Sequence, residues 1–149
     1  MRRVALSLAL LFLVVAAGAN ADSPLFTSRA TLSSLNGEQI YDHICQGCHM
    51  PGGMGAVGAG YYPKLAANKN FVSWAFVALT VLDGRNGMPP FGFPEGHGMQ
   101  SGPTHLSDAQ IADVVNYVRS HFGNAYKAEV TAQQVAALPH PKAELIGPQ

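Results

Sequence analysis

Both cysteines of this 149-residue chain fall in one short stretch, Cys45-Gln46-Gly47-Cys48, and His49 follows the second directly. Two thiols and an imidazole at this spacing can close a small disulfide, contribute to a zinc site, act as a redox dithiol or fasten a cofactor. A disulfide across so short a loop removes little entropy from the unfolded chain, even in an oxidising compartment. Zinc wants four ligands, commonly a second spaced pair. There is no second cysteine pair, and His43, His97, His105, His121 and His140 form no cluster with zinc-ligand spacing. A thioredoxin-like dithiol belongs in a βαβ context near a helix N-terminus, whereas here a helical pattern precedes the pair and no alternating strand pattern is seen. Cys-x-x-Cys-His is, by contrast, the signature of covalent attachment of a c-type haem. The two thiols add to the haem vinyl groups, and the adjacent imidazole of His49 coordinates the iron from one side.

A low-spin haem needs a sixth ligand, and methionine opposite histidine is the arrangement that raises the reduction potential for electron transfer. Beyond the N-terminal segment the chain offers Met50, Met54, Met88 and Met99. Met50 and Met54 are too close to His49 to reach the opposite haem face. Met88, in Gly84-Arg85-Asn86-Gly87-Met88-Pro89-Pro90-Phe91, follows a helix stop where prolines stiffen the chain and glycine permits close approach. Met88 is therefore the expected ligand, with Met99 the second choice.

These groups need elements to hold them. Asn36 is a candidate N-cap for a short helix with Glu38 in its first turn and Ile40, Tyr41 and Ile44 along one side, expected to deliver Cys45 at its end. The glycine-rich run after His49 reads as loop. Residues 71–83 are apolar nearly all round and stop at Gly84, the pattern of a largely buried helix with a glycine C-cap. Ser107 and Gln110 have capping-box spacing, and Ile111, Val114, Val115, Val118 and Phe122 then mark one face of a helix ending near Gly123. Thr131 to Leu138 repeats the cap pattern and is expected to pack outside the main core. The fold class expected is all-α: a few helices and long Gly/Pro-rich loops wrapped around one haem, because the apolar positions make a thin core unless a large prosthetic group lies inside it.

The chain opens with Arg2 and Arg3, an apolar run of about sixteen residues from Val4, and Ala19-Asn20-Ala21. That is the layout of a signal peptide cleaved after Ala21, and the run is short of the roughly 20 residues a bilayer span requires. The expected division is a signal peptide over 1–21, a leader over 22–35, one domain over 36–123 and an extension over 124–149. Cleavage would remove two of the nine basic residues, leaving seven against nine acidic ones. Such near-neutrality argues against nucleic acid as a partner and against strong electrostatic steering.

Over roughly residues 36–123 the chain resembles the class I cytochromes c. Gly37 and Tyr41 precede Cys45 with the spacing of that family's N-terminal helix. CQGCH follows, GMPPF supplies the distal methionine, and LSDAQIADVVNYVRSHFGN looks like the C-terminal helix. The resemblance implies that these two helices cross, with Gly37 close to Tyr117 and with Tyr41 and Val114 adding apolar contact. It also implies that Pro63, in Pro63-Lys64-Leu65, accepts a hydrogen bond from His49 through its carbonyl, and that Leu65, Trp74, Phe76, Phe91 and Phe93 are candidates to line the haem pocket.

The function so implied is that of a periplasmic electron carrier with one haem c, held through Cys45 and Cys48 and ligated by His49 and Met88. No catalytic residue is then needed. The expected partners are redox proteins, such as a periplasmic dehydrogenase, a terminal oxidase or another cytochrome, and a monomer without a membrane span in the mature chain is expected. The alternative is a haem enzyme or gas sensor with an open sixth position, for which His97 is the distal imidazole to nominate.

Overall fold

Residues 32–58, 60–92 and 104–140 are described by the structure, a computed structural model. The expected signal peptide, the greater part of the leader, and Phe93, His97 and Met99 lie outside them.

The first helical run is built in three parts: α1 (Gly37–Ile40), a π turn (Tyr41–Cys45) and α2 (Gln46–His49). Asn36 caps it as expected, and the cap is reciprocal, because the Asn36 side chain accepts from the Gln39 amide while the Gln39 side chain accepts from the Asn36 amide, both at 3.0 Å. Ile40 and Tyr41 are buried and Ile44 is half-buried, so the expected inner side holds. The helix does not end at Cys45. Its wider π turn carries the same run onward, and CQGCH is itself helical.

The glycine-rich stretch that follows contains a regular element not expected from the sequence, an antiparallel hairpin of β1 (Ala56–Val57) and β2 (Tyr61–Tyr62). Strands of two residues are too short to show an alternating pattern. Helix α3 (Trp74–Asp83) is capped by the Ser73 side chain, and residues 69–72 before it form a tighter 3₁₀ turn, so the helix starts three residues later than its apolar run. Gly84 ends it with φ +70°.

Helix α4 (Asp108–Ser120) has the expected capping box between Ser107 and Gln110, and Ile111, Val114, Val115 and Val118 face the core. It stops at Ser120, short of Gly123. Phe122 therefore lies beyond the helix, at φ +57°, and its ring folds back to 4.7 Å from Tyr41. Helices α1 and α4 pack directly on each other. A Cβ at Gly37 would run into the Asp113 carbonyl and lie 3.1 Å from Tyr117 Cβ, so the backbones meet where glycine allows it.

Helix α5 (Ala132–Ala136) packs on α4 instead of lying outside the core. Val130 and Val135 are buried there, and Asn116 clamps the Val130 main chain, its amide donating to the carbonyl at 2.9 Å and its oxygen accepting from the N–H at 2.8 Å. The paired bonds leave no main-chain cost for bringing this segment inside. Leu35 is buried with the same core, and the Gln110 side chain donates to the Leu32 carbonyl at 2.7 Å, so the end of the leader is also part of the packed unit.

Candidate functional site

The end of the π turn supplies Cys45, and α2 carries Cys48 and His49 directly after it. Cys45 is half-buried, Cys48 is exposed, and the two are not bonded to each other. Burial, with the neighbouring Cys48 adding to it, pushes the Cys45 thiol up to about 12, so this sulfur stays protonated at neutral pH. His49 is buried at 8% exposure. Its Nδ1 lies 3.0 Å from the Pro63 carbonyl oxygen. A carbonyl can only accept, so Nδ1 carries the proton and the Nε2 lone pair is left for a metal.

The approach of Pro63 to His49 is set by the backbone around it. Gly55, at φ +67°, donates its N–H to the His49 carbonyl at 2.9 Å, and a Cβ on it would collide with the Tyr62 carbonyl and come within 2.8 Å of the Lys64 nitrogen. The turn after His49 and the Pro63-Lys64-Leu65 segment thus lie back to back. Asn124 fixes the far side. Its amide donates to the carbonyls of Leu65 at 3.0 Å and Val118 at 2.8 Å, and its oxygen accepts from the Asn68 N–H at 2.8 Å. Sequence reading missed Asn124 because it stands at the very end of the stretch that resembles the C-terminal helix, where a lone asparagine carries no signal beyond a cap.

Met88 is delivered by a two-residue hairpin. Arg85 and Met88 exchange both main-chain bonds, at 3.1 and 2.9 Å, around Asn86 at φ +50° and Gly87 at φ +91°. Positive φ at both central residues is what an Asn-Gly type I′ turn requires. The loop is then pinned to α3, because Phe91 donates to the Val81 carbonyl at 2.9 Å and Gly92 to the Leu82 carbonyl at 3.0 Å. A side chain at Gly84 would strike the Met88 carbonyl. Met88 is partly buried and packs against the core, as do Leu65 and Trp74. Phe91 is buried in the core itself, and Phe76 carries the Arg85 guanidinium 5.3 Å from its ring centroid.

Among the described residues, no three His, Cys, Asp or Glu side chains gather so as to hold a metal ion on their own. The donors present suit a metal that arrives in a macrocycle and needs axial ligands only: two thiols, one oriented imidazole with its outer nitrogen free, and a thioether on a braced loop. Partly buried apolar side chains packed against the core, Leu65 and Trp74 among them, offer surface that a flat apolar group could cover.

The family profile of cytochrome c matches residues 34–122. The chain belongs to the cytochrome c family. Membership makes it an electron-transfer haem protein of the cytochrome c fold and implies haem c as its cofactor. This cytochrome c is 35% identical over 117 residues to the gluconate 2-dehydrogenase cytochrome c subunit of Pantoea cypripedii, a match covering 70% of this chain and 24% of that protein. It is 35% identical over 127 residues to the fructose dehydrogenase cytochrome subunit of Gluconobacter japonicus, covering 78% and 24%. Against cytochrome c-552 of Thermus thermophilus it is 29% identical over 127 residues, covering 79% and 82%. The chain spans about a quarter of the length of the dehydrogenase subunits it matches.

Proposed function

We propose that this cytochrome c is an exported single-haem electron carrier, with haem held through Cys45 and Cys48, His49 and Met88 as the axial ligands, and a periplasmic dehydrogenase as its electron donor. The observation that carries the reading is the His49–Pro63 bond, which leaves the Nε2 lone pair free on the residue that directly follows Cys48. When bound, the haem supplies an iron that exchanges one electron between its ferrous and ferric states.

The chain's own residues do the rest. Pro63 keeps the His49 ring in one tautomer and one orientation, and its accepting carbonyl raises the basicity of the imidazole. The type I′ turn and the Gly84 contact hold Met88 so that little rearrangement accompanies electron transfer. Leu65 and Trp74 exclude water from the neighbouring surface. The donor is inferred from the dehydrogenase subunits among the relatives. Export rests on the N-terminal pattern of residues 1–21, and among the described residues no helix is long and apolar enough to cross a membrane.

The test is the visible spectrum and potential of the purified holoprotein. The oxidised form is expected to show the weak long-wavelength sulfur-to-iron band, and Met88→Ala to abolish it and lower the potential by on the order of 0.1 V, within the roughly 0.8 V that axial ligands command. A high-spin wild-type spectrum overturns the carrier reading, while a band and potential that survive Met88→Ala move the ligand to Met99.

A further inference from the structure

The residue after His49 stands in a backbone conformation that side-chain-bearing residues avoid. Met50 has φ +62° and ψ 160°, a region essentially reserved for glycine. Three hydrogen bonds hold it there. Its N–H donates to the Gln46 carbonyl at 2.9 Å, and its carbonyl accepts from the Gly53 N–H at 3.1 Å and from the Tyr41 hydroxyl at 2.7 Å. The first two are bonds of the turn itself. The third comes from a side chain nine residues back, buried at 1% exposure between Phe122 and Tyr117. Burial raises the phenol above its ordinary value, so it remains a donor at any physiological pH.

What Met50 shapes is the relation between His49 and Pro63. The turn from Met50 to Gly55 ends with the Gly55 N–H on the His49 carbonyl, and Gly55 lies flat against Pro63, whose carbonyl takes the Nδ1 proton of His49. A change of φ or ψ at Met50 moves Gly55, and with it the carbonyl that orients the imidazole.

We propose that Tyr41 is a positioning residue for the proximal ligand: its hydroxyl holds the Met50 peptide in a glycine-only conformation and so sets the His49–Pro63 hydrogen bond. This rests on His49 being an iron ligand, a reading the wild-type spectrum tests separately. Its content is directional. A weaker His49–Pro63 bond makes the imidazole a poorer donor, which disfavours the ferric state and raises the potential.

The experiment uses holoprotein of wild type, Tyr41→Phe, Met50→Gly and Tyr41→Phe/Met50→Gly, read by redox titration and by NMR exchange of the His49 Nδ1 proton. Tyr41→Phe is expected to raise the potential and to speed that exchange roughly fivefold to tenfold, the size of one weakened hydrogen bond. Met50→Gly is expected to raise the melting temperature, and the double variant to return both readouts to wild-type values, because glycine keeps the conformation without help. Unchanged potential and exchange in Tyr41→Phe would overturn the proposal, leaving Tyr41 a packing residue. Failure of the double variant to rescue overturns it equally. If Tyr41→Phe alone does not mature, maturation of the double variant supports the proposal and its failure to mature refutes it.

Discussion

Arg119 is a cation at 3% exposure whose donors go to main-chain carbonyls, Nε to Phe71 at 2.9 Å and Nη1 to Ala128 at 2.7 Å, while its guanidinium lies 5.8 Å from the Tyr126 ring centroid. It ties the turn before α3 and the start of the C-terminal segment to α4. Arg119→Ala leaves both carbonyls without a partner and is expected to cost about 2–4 kcal/mol, measured as a lower urea midpoint at an unchanged slope. The reduction potential is expected to hold, since Arg119 touches neither His49 nor the Met88 loop. At this scale the thiols and His49 were legible because their spacing is itself the chemical constraint. Pro63 could be read only through family resemblance. Arg119, Asn124 and the Tyr41 hydroxyl could not be read at all, since each serves a main-chain group, and main-chain groups look alike at every position. Tyr41 was expected to contribute apolar contact alone, and its ring does so against Tyr117 and Phe122.

Elements were legible where periodicity and caps agree. In α4 the cap at Ser107 and the 3.6-residue spacing of Ile111, Val114, Val115 and Val118 fix both the start of the helix and its buried face. The same spacing extends to Phe122 and misleads there, because an aromatic ring reached from a left-handed residue fills the same space as one on the helix. The π turn at Tyr41–Cys45 has no sequence pattern of its own, so CQGCH was expected after the helix when it belongs to it. Asn86-Gly87 carries the signature of a type I′ turn, and Pro89 and Pro90 just beyond it carry the equally strong signature of a stiff loop, so the hairpin is masked by its neighbours. The α1–α4 crossing depends on Gly37 in a way that can be measured. Gly37→Ala would gain helix propensity in isolation, yet its Cβ meets the Asp113 carbonyl. Steric overlap is expected to win, with a loss of about 1–3 kcal/mol in denaturant unfolding of the holoprotein. A neutral or stabilising result would mean that the two helices can separate without penalty.

For the molecule as a whole, the described core is drawn from α1, α3, α4 and α5 together with the segments that join them, Leu35, Tyr41, Phe71, Phe91, Leu106 and Val130 among them, and Leu65, Trp74 and Met88 are partly buried at its margin. His140 of the C-terminal segment clasps the start of α4. The His140 Nε2 lies 2.7 Å from the Asp108 carboxylate at the start of α4, and its Nδ1 lies 2.8 Å from the Leu138 carbonyl. Both partners accept, so both ring nitrogens carry protons and the folded state favours the imidazolium. The hydrogen bond to Asp108 raises the His140 pKa most. Burial opposes it, while the Leu138 carbonyl and the charges of Asp108 and Asp83 add to the rise. The folded protein therefore binds this proton more tightly than the unfolded chain, whose histidine titrates at about 6.5. Its contribution to stability is complete below that pH and is lost as pH rises through the higher folded value. The urea midpoint of the holoprotein is expected to fall between pH 6 and pH 9, and His140→Ala to lower the midpoint at pH 6 while leaving it nearly unchanged at pH 9. Equal losses at the two pH values would show that His140 contributes packing and no proton-dependent bond. Because the clasp joins α4 to the C-terminal segment and not to the CQGCH turn, the reduction potential of the variant is expected to match that of the wild type across the same range.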